Sequence, residues 1–138
     1  MATSMTLETL ASLLLAVAFG AVVGIERELI HKPAGLRTHM LVSLGSCLFT
    51  IVSISFSMDP ARIAAGIVAG IGFIGAGTIW AEKDKVQGIT TAASLWASAA
   101  IGLTTGIGDY PLAGVVTFLV VIILISNRLL KRIGLEKD

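Results

Sequence analysis

The sequence predicts an all-α fold, a polytopic membrane bundle of about five transmembrane helices with the N-terminus outside and the C-terminus cytoplasmic. Three observations lead there. Of 138 residues, 55% are apolar and 14% charged, and the mean hydropathy is +0.92, whereas a soluble domain carries about 25% charged residues to cover its surface. The charges cluster between apolar runs rather than spreading along the chain. Each run approaches the roughly 20 residues a helix needs to cross a bilayer. Five such runs form one transmembrane domain over residues 1–138 and leave no room for a soluble catalytic domain.

The spans fall at about 7–25, 40–58, 60–80, 91–105 and 112–130. The first begins at Leu7 and meets no charge between Glu8 and Glu26. It is read as a retained helix, because the start lacks the basic segment and small-residue cleavage site of a signal peptide. The second carries only Ser, Thr and Cys as polar content. Asp59-Pro60 opens the third, with Asp as N-cap and Pro at the first helical position. Residues 81–88 are polar, and Thr90 or Thr91 can cap the fourth. Residues 106–111 read as a tight turn, and the fifth span runs into a basic tail.

Orientation follows from the lysines and arginines. With five spans, Arg27, Lys32, Arg37, Lys83, Lys85, Arg128, Lys131, Arg132 and Lys137 share one side and Arg62 stands alone on the other. The basic side is cytoplasmic, and a four-span arrangement weakens this asymmetry. Trp80 and Tyr110 fall near span ends, at headgroup level. Trp96, one turn inside the fourth helix, is either belt or packing.

In lipid, helices are held by close packing and interhelical hydrogen bonds. Residues 64–77, AAGIVAGIGFIGAG, supply Gly66, Gly70, Gly72, Gly75 and Gly77, and the same small-residue spacing recurs at Gly20–Gly24 and Gly102–Gly106. The third helix is therefore expected to be central, touching several neighbours or a second subunit. Its glycines either permit close backbone approach, or let the helix unwind and offer carbonyls to an ion, or form a dimer seam. Ser43, Ser46, Ser94 and Ser98 are read as helix-to-helix hydrogen-bonding groups, and Cys47 as a small buried hydrophobe.

All nine acids lie at span ends or in loops. A midplane without carboxylates is a poor place to strip water from Mg²⁺, so intrinsic cation transport has no support from the residues. A net charge of +1 and the lack of a long basic run exclude nucleic acid as a partner. The glycine run lacks the Lys-Ser/Thr ending of a phosphate loop, and nothing marks a nucleophilic centre, so no enzyme is expected. His31 and His39 are too few and wrongly spaced for a metal site.

The candidate site is the polar cluster Glu26, Arg27, Glu28, Arg37, Thr38 and His39, with Thr90 and Thr91. If the first helix continues past Ile25, Glu28–Lys32 and Arg27–His31 stand at i,i+4 on shared faces. The cluster is either an ordinary interfacial loop or a polar pocket in which Glu26 and Arg37 converge at the mouth of the bundle. Asp59 and Arg62 form an i,i+3 polar pair at the outer face.

Three blocks, GIERELIHKPAGLRTHMLVSLGS (24–46), DPARIAAGIVAGIGFIGAGTI (59–79) and GITTAASLWASAAIGLTTGIGDY (88–110), resemble the MgtC/SapB family, in that family's order and over about half the chain. The resemblance implies a multi-pass protein of the bacterial inner membrane. It associates the chain with adaptation to low magnesium, acid stress and survival of pathogens inside macrophages. Some members are labelled Mg²⁺ transporters, and others are thought to restrain the F-type ATP synthase. The matched polar positions are Glu26, Arg27, Glu28, Arg37, Thr38, His39, Asp59, Arg62, Thr90 and Thr91, and the resemblance assigns them no roles. The C-terminal ACT-like domain of longer members is not expected here. The resulting expectation is a non-enzymatic protein without cofactor, embedded in the bilayer as a homo-oligomer (a dimer favoured), that modulates membrane energetics or a membrane partner. A small Mg²⁺ or proton transporter or channel is the alternative.

Overall fold

Helix boundaries depend on groups that satisfy end-of-helix backbone atoms, which hydropathy does not register. The computed structural model describes residues 6–56, 59–82 and 85–132. Five helices follow in order: α1 (Leu7–Leu29), α2 (Leu36–Ser55), α3 (Pro60–Ala76), α4 (Ile89–Gly106) and α5 (Tyr110–Arg132). A hairpin of β1 (Trp80–Glu82) and β2 (Lys85–Gln87) joins α3 to α4. Met58 at the predicted end of the second span, Lys83 and Asp84, and the tail from residue 133 lie outside the described residues, as do the side chains of 127–132. Among the five helices, α1 and α2 are long and apolar enough to cross a membrane by length and composition, and Ala61–Ala76 and Tyr110–Ser126 form shorter apolar stretches.

Three helix starts are capped by the side chain of the residue just before them. Thr6 accepts from the Thr9 N–H at 3.1 Å, Asp59 from that of Ala61 at 3.0 Å, and Asp109 from that of Leu112 at 3.1 Å. The predicted Asp59-Pro60 start of α3 is thus present. The first helix runs four residues beyond the predicted Ile25, because Glu and Arg are good helix formers and charge alone ends nothing. It ends where His31 adopts a φ of +54°. There the N–H of His31 donates to Glu28 O at 3.0 Å and that of Lys32 to Arg27 O at 3.1 Å, the bond pair of a Schellman ending. His31 and Lys32 lie past the last turn, so the expected i,i+4 pairs with Arg27 and Glu28 do not form.

The third helix stops at Ala76 rather than near Trp80. It is regular α-helix up to that residue, with Gly77 as its C-cap, so the glycine run does not unwind. Trp80 instead begins a strand, paired Trp80↔Gln87, Ala81↔Val86 and Glu82↔Lys85. Gly88 then takes a φ of +90°, and a Cβ there would stand 1.9 Å from the Thr78 carbonyl oxygen. The turn into α4 therefore admits only glycine. Helix α4 starts at Ile89 with no side-chain cap, so neither Thr90 nor Thr91 has the predicted capping role.

Helix α2, not α3, is central. Glycines from both of its neighbours press onto its backbone. A Cβ on Gly20 would lie 2.7 Å from His39 O, one on Gly24 2.7 Å from Leu36 Cα, one on Gly102 2.0 Å from Ser43 O, and one on Gly106 2.8 Å from Cys47 O. These contacts run α1 antiparallel and α4 parallel to α2. Helix α5 closes on α1 and α4 through Val23, Ile101, Ala113 and Leu124. The Tyr110 hydroxyl is held by the Ser12 hydroxyl at 2.8 Å, so this ring is tied to α1.

Helix α3 flanks α4 and α2 through Ile71, Leu95 and Ala99. Around its Gly66, Gly70 and Gly72 a Cβ would meet nothing within 4 Å, and only Gly75 touches a neighbour, Ala92. The α3 glycines therefore do not make the expected central seam within one chain. Trp96 is half exposed, so only part of its ring packs within the chain.

Candidate functional site

The end of α1, the start of α4 and the Ile123–Leu124 stretch of α5 meet at one end of the bundle, beside Arg27 and Lys32. Two polar arrangements lie there. The first is buried between helices. His39, fully buried, stands in the first turn of α2 because that helix starts four residues earlier than predicted. Its Nδ1 lies 2.8 Å from Gly35 O, and its Nε2 lies 3.0 Å from Ser94 Oγ on α4. Ser94 Oγ also lies 2.8 Å from Thr91 O. A carbonyl only accepts, so Nδ1 carries a proton. In the neutral imidazole the single Ser94 proton is shared in competition between Nε2 and the Thr91 carbonyl.

Beside this relay, Glu26 and Arg27 form an ion pair at 6% and 3% exposure. The charges are at a helix end, as expected, but packed inside the protein rather than solvated. Glu28 turns away to another task. Its Oε2 accepts the N–H of Leu36 at 2.9 Å and caps α2, whose own N-cap, Gly35, has no side chain to offer. A Cβ on Gly35 would overlap that oxygen, at 1.7 Å, so the glycine is what lets the carboxylate in.

The second arrangement is an open cavity of about 900 Å³ lined by Arg27, His31, Lys32, Trp80, Gln87, Thr90 and Thr91, with Ile123 and Leu124 of α5 forming an apolar wall. Among the described residues no carboxylate lines it.

Of the predicted cluster, Arg27, Thr90 and Thr91 therefore meet at one cavity, with Glu26 paired behind Arg27. Arg37 is exposed on α2 and does not line the cavity, whereas Glu26 is buried beside Arg27. Thr38 is half-buried on α2, and His39 belongs to the relay. At the opposite end, Asp59 spends its carboxylate on the helix cap and forms no ion pair with Arg62 among the described residues. Arg62 lines a separate apolar groove of about 710 Å³ between α2 and α3.

Sequence reasoning left Gln87 and Ser94 out of the site and read His31 and Lys32 only as i,i+4 partners of Arg27 and Glu28. The Gly88-Ile-Thr-Thr start of α4 was the signal available for the cavity. No three His, Cys, Asp or Glu side chains converge as a metal set among the described residues.

Comparison with known proteins places this arrangement in a family. The chain is 46% identical over 118 residues to the putative magnesium transporter YhiD of Escherichia coli K12, covering 78% of this chain and 55% of that protein. It is 47% identical over 121 residues to protein MgtC of Salmonella typhimurium LT2, covering 87% of this chain and 51% of that protein. An uncharacterized protein of Haemophilus influenzae is 43% identical over 129 residues, 85% of this chain and 53% of that one. The chain thus spans about half the length of these curated relatives. No solved structure matches it. The MgtC family model matches residues 13–133, nearly the full described length, and the chain belongs to the MgtC family.

Proposed function

We propose that this chain is a non-enzymatic, multi-pass protein of the bacterial inner membrane that modulates a membrane partner or membrane energetics during adaptation to low magnesium or acid stress. Bilayer insertion is supported by the two long apolar helices and by the large apolar side chains exposed along α2, α3 and α5, among them Phe49, Phe73 and Phe118. The placement of Arg27, Lys32, Arg37 and Lys85 opposite Arg62 supports a cytoplasmic basic end.

The observation that carries the reading is the character of the cavity at that end. Its lining is cationic, whereas a Mg²⁺ site calls for carboxylate and carbonyl oxygens. The α1–α2–α4 interface, where an axial conduit would run, is packed backbone against backbone by four glycines. A membrane partner such as the F-type ATP synthase is the kind of target the family resemblance suggests. The open glycine face of α3 supports a homodimer.

The test is reconstitution of the purified chain into liposomes loaded with Mg²⁺- and pH-sensitive dyes. Flux no greater than in protein-free vesicles is the expected result. Robust flux that Glu26→Gln or Arg27→Ala abolishes would overturn the reading. It would promote the second one, a Mg²⁺ or proton transporter, which the printed name of YhiD favours. That second reading also draws on the buried Ser43 and Ser98 hydroxyls of α2 and α4, which have no hydrogen-bond partner among the described residues.

A further inference from the structure

We propose that the cavity at the basic end binds a phosphate-bearing anion, held by the first-turn N–H groups of α4, the Thr91 hydroxyl and the Lys32 ammonium. The inference rests on the membrane reading above for its location, at the cytoplasmic headgroup level, and on local geometry for its chemistry.

Helix α4 begins at Gly88, which has no side chain, and no other side chain caps it. The first helical bond from this start is Ala92 N–H to Gly88 O at 2.9 Å. The N–H groups of Ile89, Thr90 and Thr91 precede it and point out of the helix end, where the macrodipole favours negative charge. An uncapped helix start alone is not a site, and a second observation makes this one. Thr91 is 2% exposed, yet its hydroxyl has no hydrogen-bond partner among the described residues, and it lines the cavity. A ligand oxygen in the cavity could accept from that hydroxyl, which opens on the cavity Thr91 lines.

The charge around the opening agrees. The left-handed His31 that ends α1 turns Lys32 into the lining, beside Arg27. Glu26 balances Arg27 from behind, so the positive charge facing the cavity comes from Lys32 and the helix start. No described carboxylate faces the ligand. The volume of about 900 Å³ exceeds what one phosphate needs, and the wall formed by Trp80, Ile123 and Leu124 would take an apolar or aromatic group attached to it. The shared chemistry is a phosphate ester, which a soluble nucleotide or an anionic phospholipid headgroup could each present.

The experiment uses the 138-residue chain carrying Trp96→Phe, so that Trp80 on the cavity wall is the sole tryptophan. In neutral detergent it is titrated with inorganic phosphate and with adenosine monophosphate. In a second arm it is placed in nanodiscs of phosphatidylcholine with and without phosphatidylglycerol. A saturable Trp80 change is expected in at least one arm. A response in detergent identifies a soluble ligand, and a response confined to phosphatidylglycerol discs identifies a headgroup. Lys32→Gln and Thr91→Val should each weaken the response about tenfold, the worth of one charge-assisted hydrogen bond. Arg37→Gln, at the same end but outside the cavity, should leave it unchanged.

Circular dichroism confirms that the variants are folded. No response from folded protein in either arm would overturn the site, and so would equal weakening by Arg37→Gln or indifference to Thr91→Val. Ion flux in liposomes is read separately, so failure of the functional proposal is distinguishable from failure of this one.

Discussion

The two sets of glycines in this chain look alike in sequence and should respond oppositely to one added methyl group. At Gly102 a new Cβ would stand 2.0 Å from the Ser43 carbonyl oxygen, 2.8 Å from its carbon and 2.9 Å from its Cα. All three atoms are backbone, so no rotamer change relieves the clash. Reaching the ordinary 3.4 Å contact from 2.0 Å requires α4 to move about 1.4 Å from α2. That shift would also open the Gly106 contact and stretch the His39–Ser94 bond. Overpacking of a well-packed interior costs about 1–3 kcal/mol and occasionally more, and a backbone-on-backbone clash belongs at the upper end.

At Gly70, nothing lies within 4 Å of the added Cβ. Gly70→Ala should therefore be neutral or gain up to about 1 kcal/mol from reduced backbone freedom. The assay is thermal unfolding of purified variants in detergent, under conditions where light scattering shows monomers. Gly102→Ala should lower Tm by roughly 10 °C and Gly70→Ala should not lower it. Equal losses, or a loss at Gly70 alone, would refute the assignment of α2 as the packing centre. A Gly70→Ala change that leaves monomer Tm intact but weakens dimers would support the proposed α3 seam.

Other outcomes follow from the basic end. Glu28→Ala and Gly35→Ala should each cost about 1 kcal/mol, since both remove the carboxylate cap on Leu36. The double variant should cost little more than either alone, and a double-mutant cycle showing additivity would contradict the shared mechanism. His31→Gly should raise unfolding stability by about 1 kcal/mol, because a left-handed φ strains any residue with a Cβ; chemical denaturation measures it. Ser94→Ala leaves His39 Nε2 without its partner in a fully buried site and should cost about 1–3 kcal/mol, read as a loss of Tm. Asp59→Ala should remove about 1 kcal/mol through the lost α3 cap, with no change in the phosphate response at the far end.

By itself, the sequence determined that this is a five-helix chain of the MgtC family, with its basic residues gathered between apolar runs and α3 started by Asp59-Pro60. Those features are local: hydropathy, capping chemistry and contiguous motif blocks are all written within a few neighbouring residues. Only the tertiary structure decided which glycines carry packing. Gly66–Gly70 and Gly102–Gly106 have the same spacing, and what separates them is whether another backbone lies opposite. It also dispersed the expected cluster, sending Glu28 to cap α2, His39 to Ser94 and Arg37 to the surface, while Arg27, Lys32 and Thr91 came to one cavity. Residues more than 50 positions apart meet there because of the left-handed turn at His31 and the glycine start at Gly88. The directions in which these turns send the chain depend on the helices packed around them.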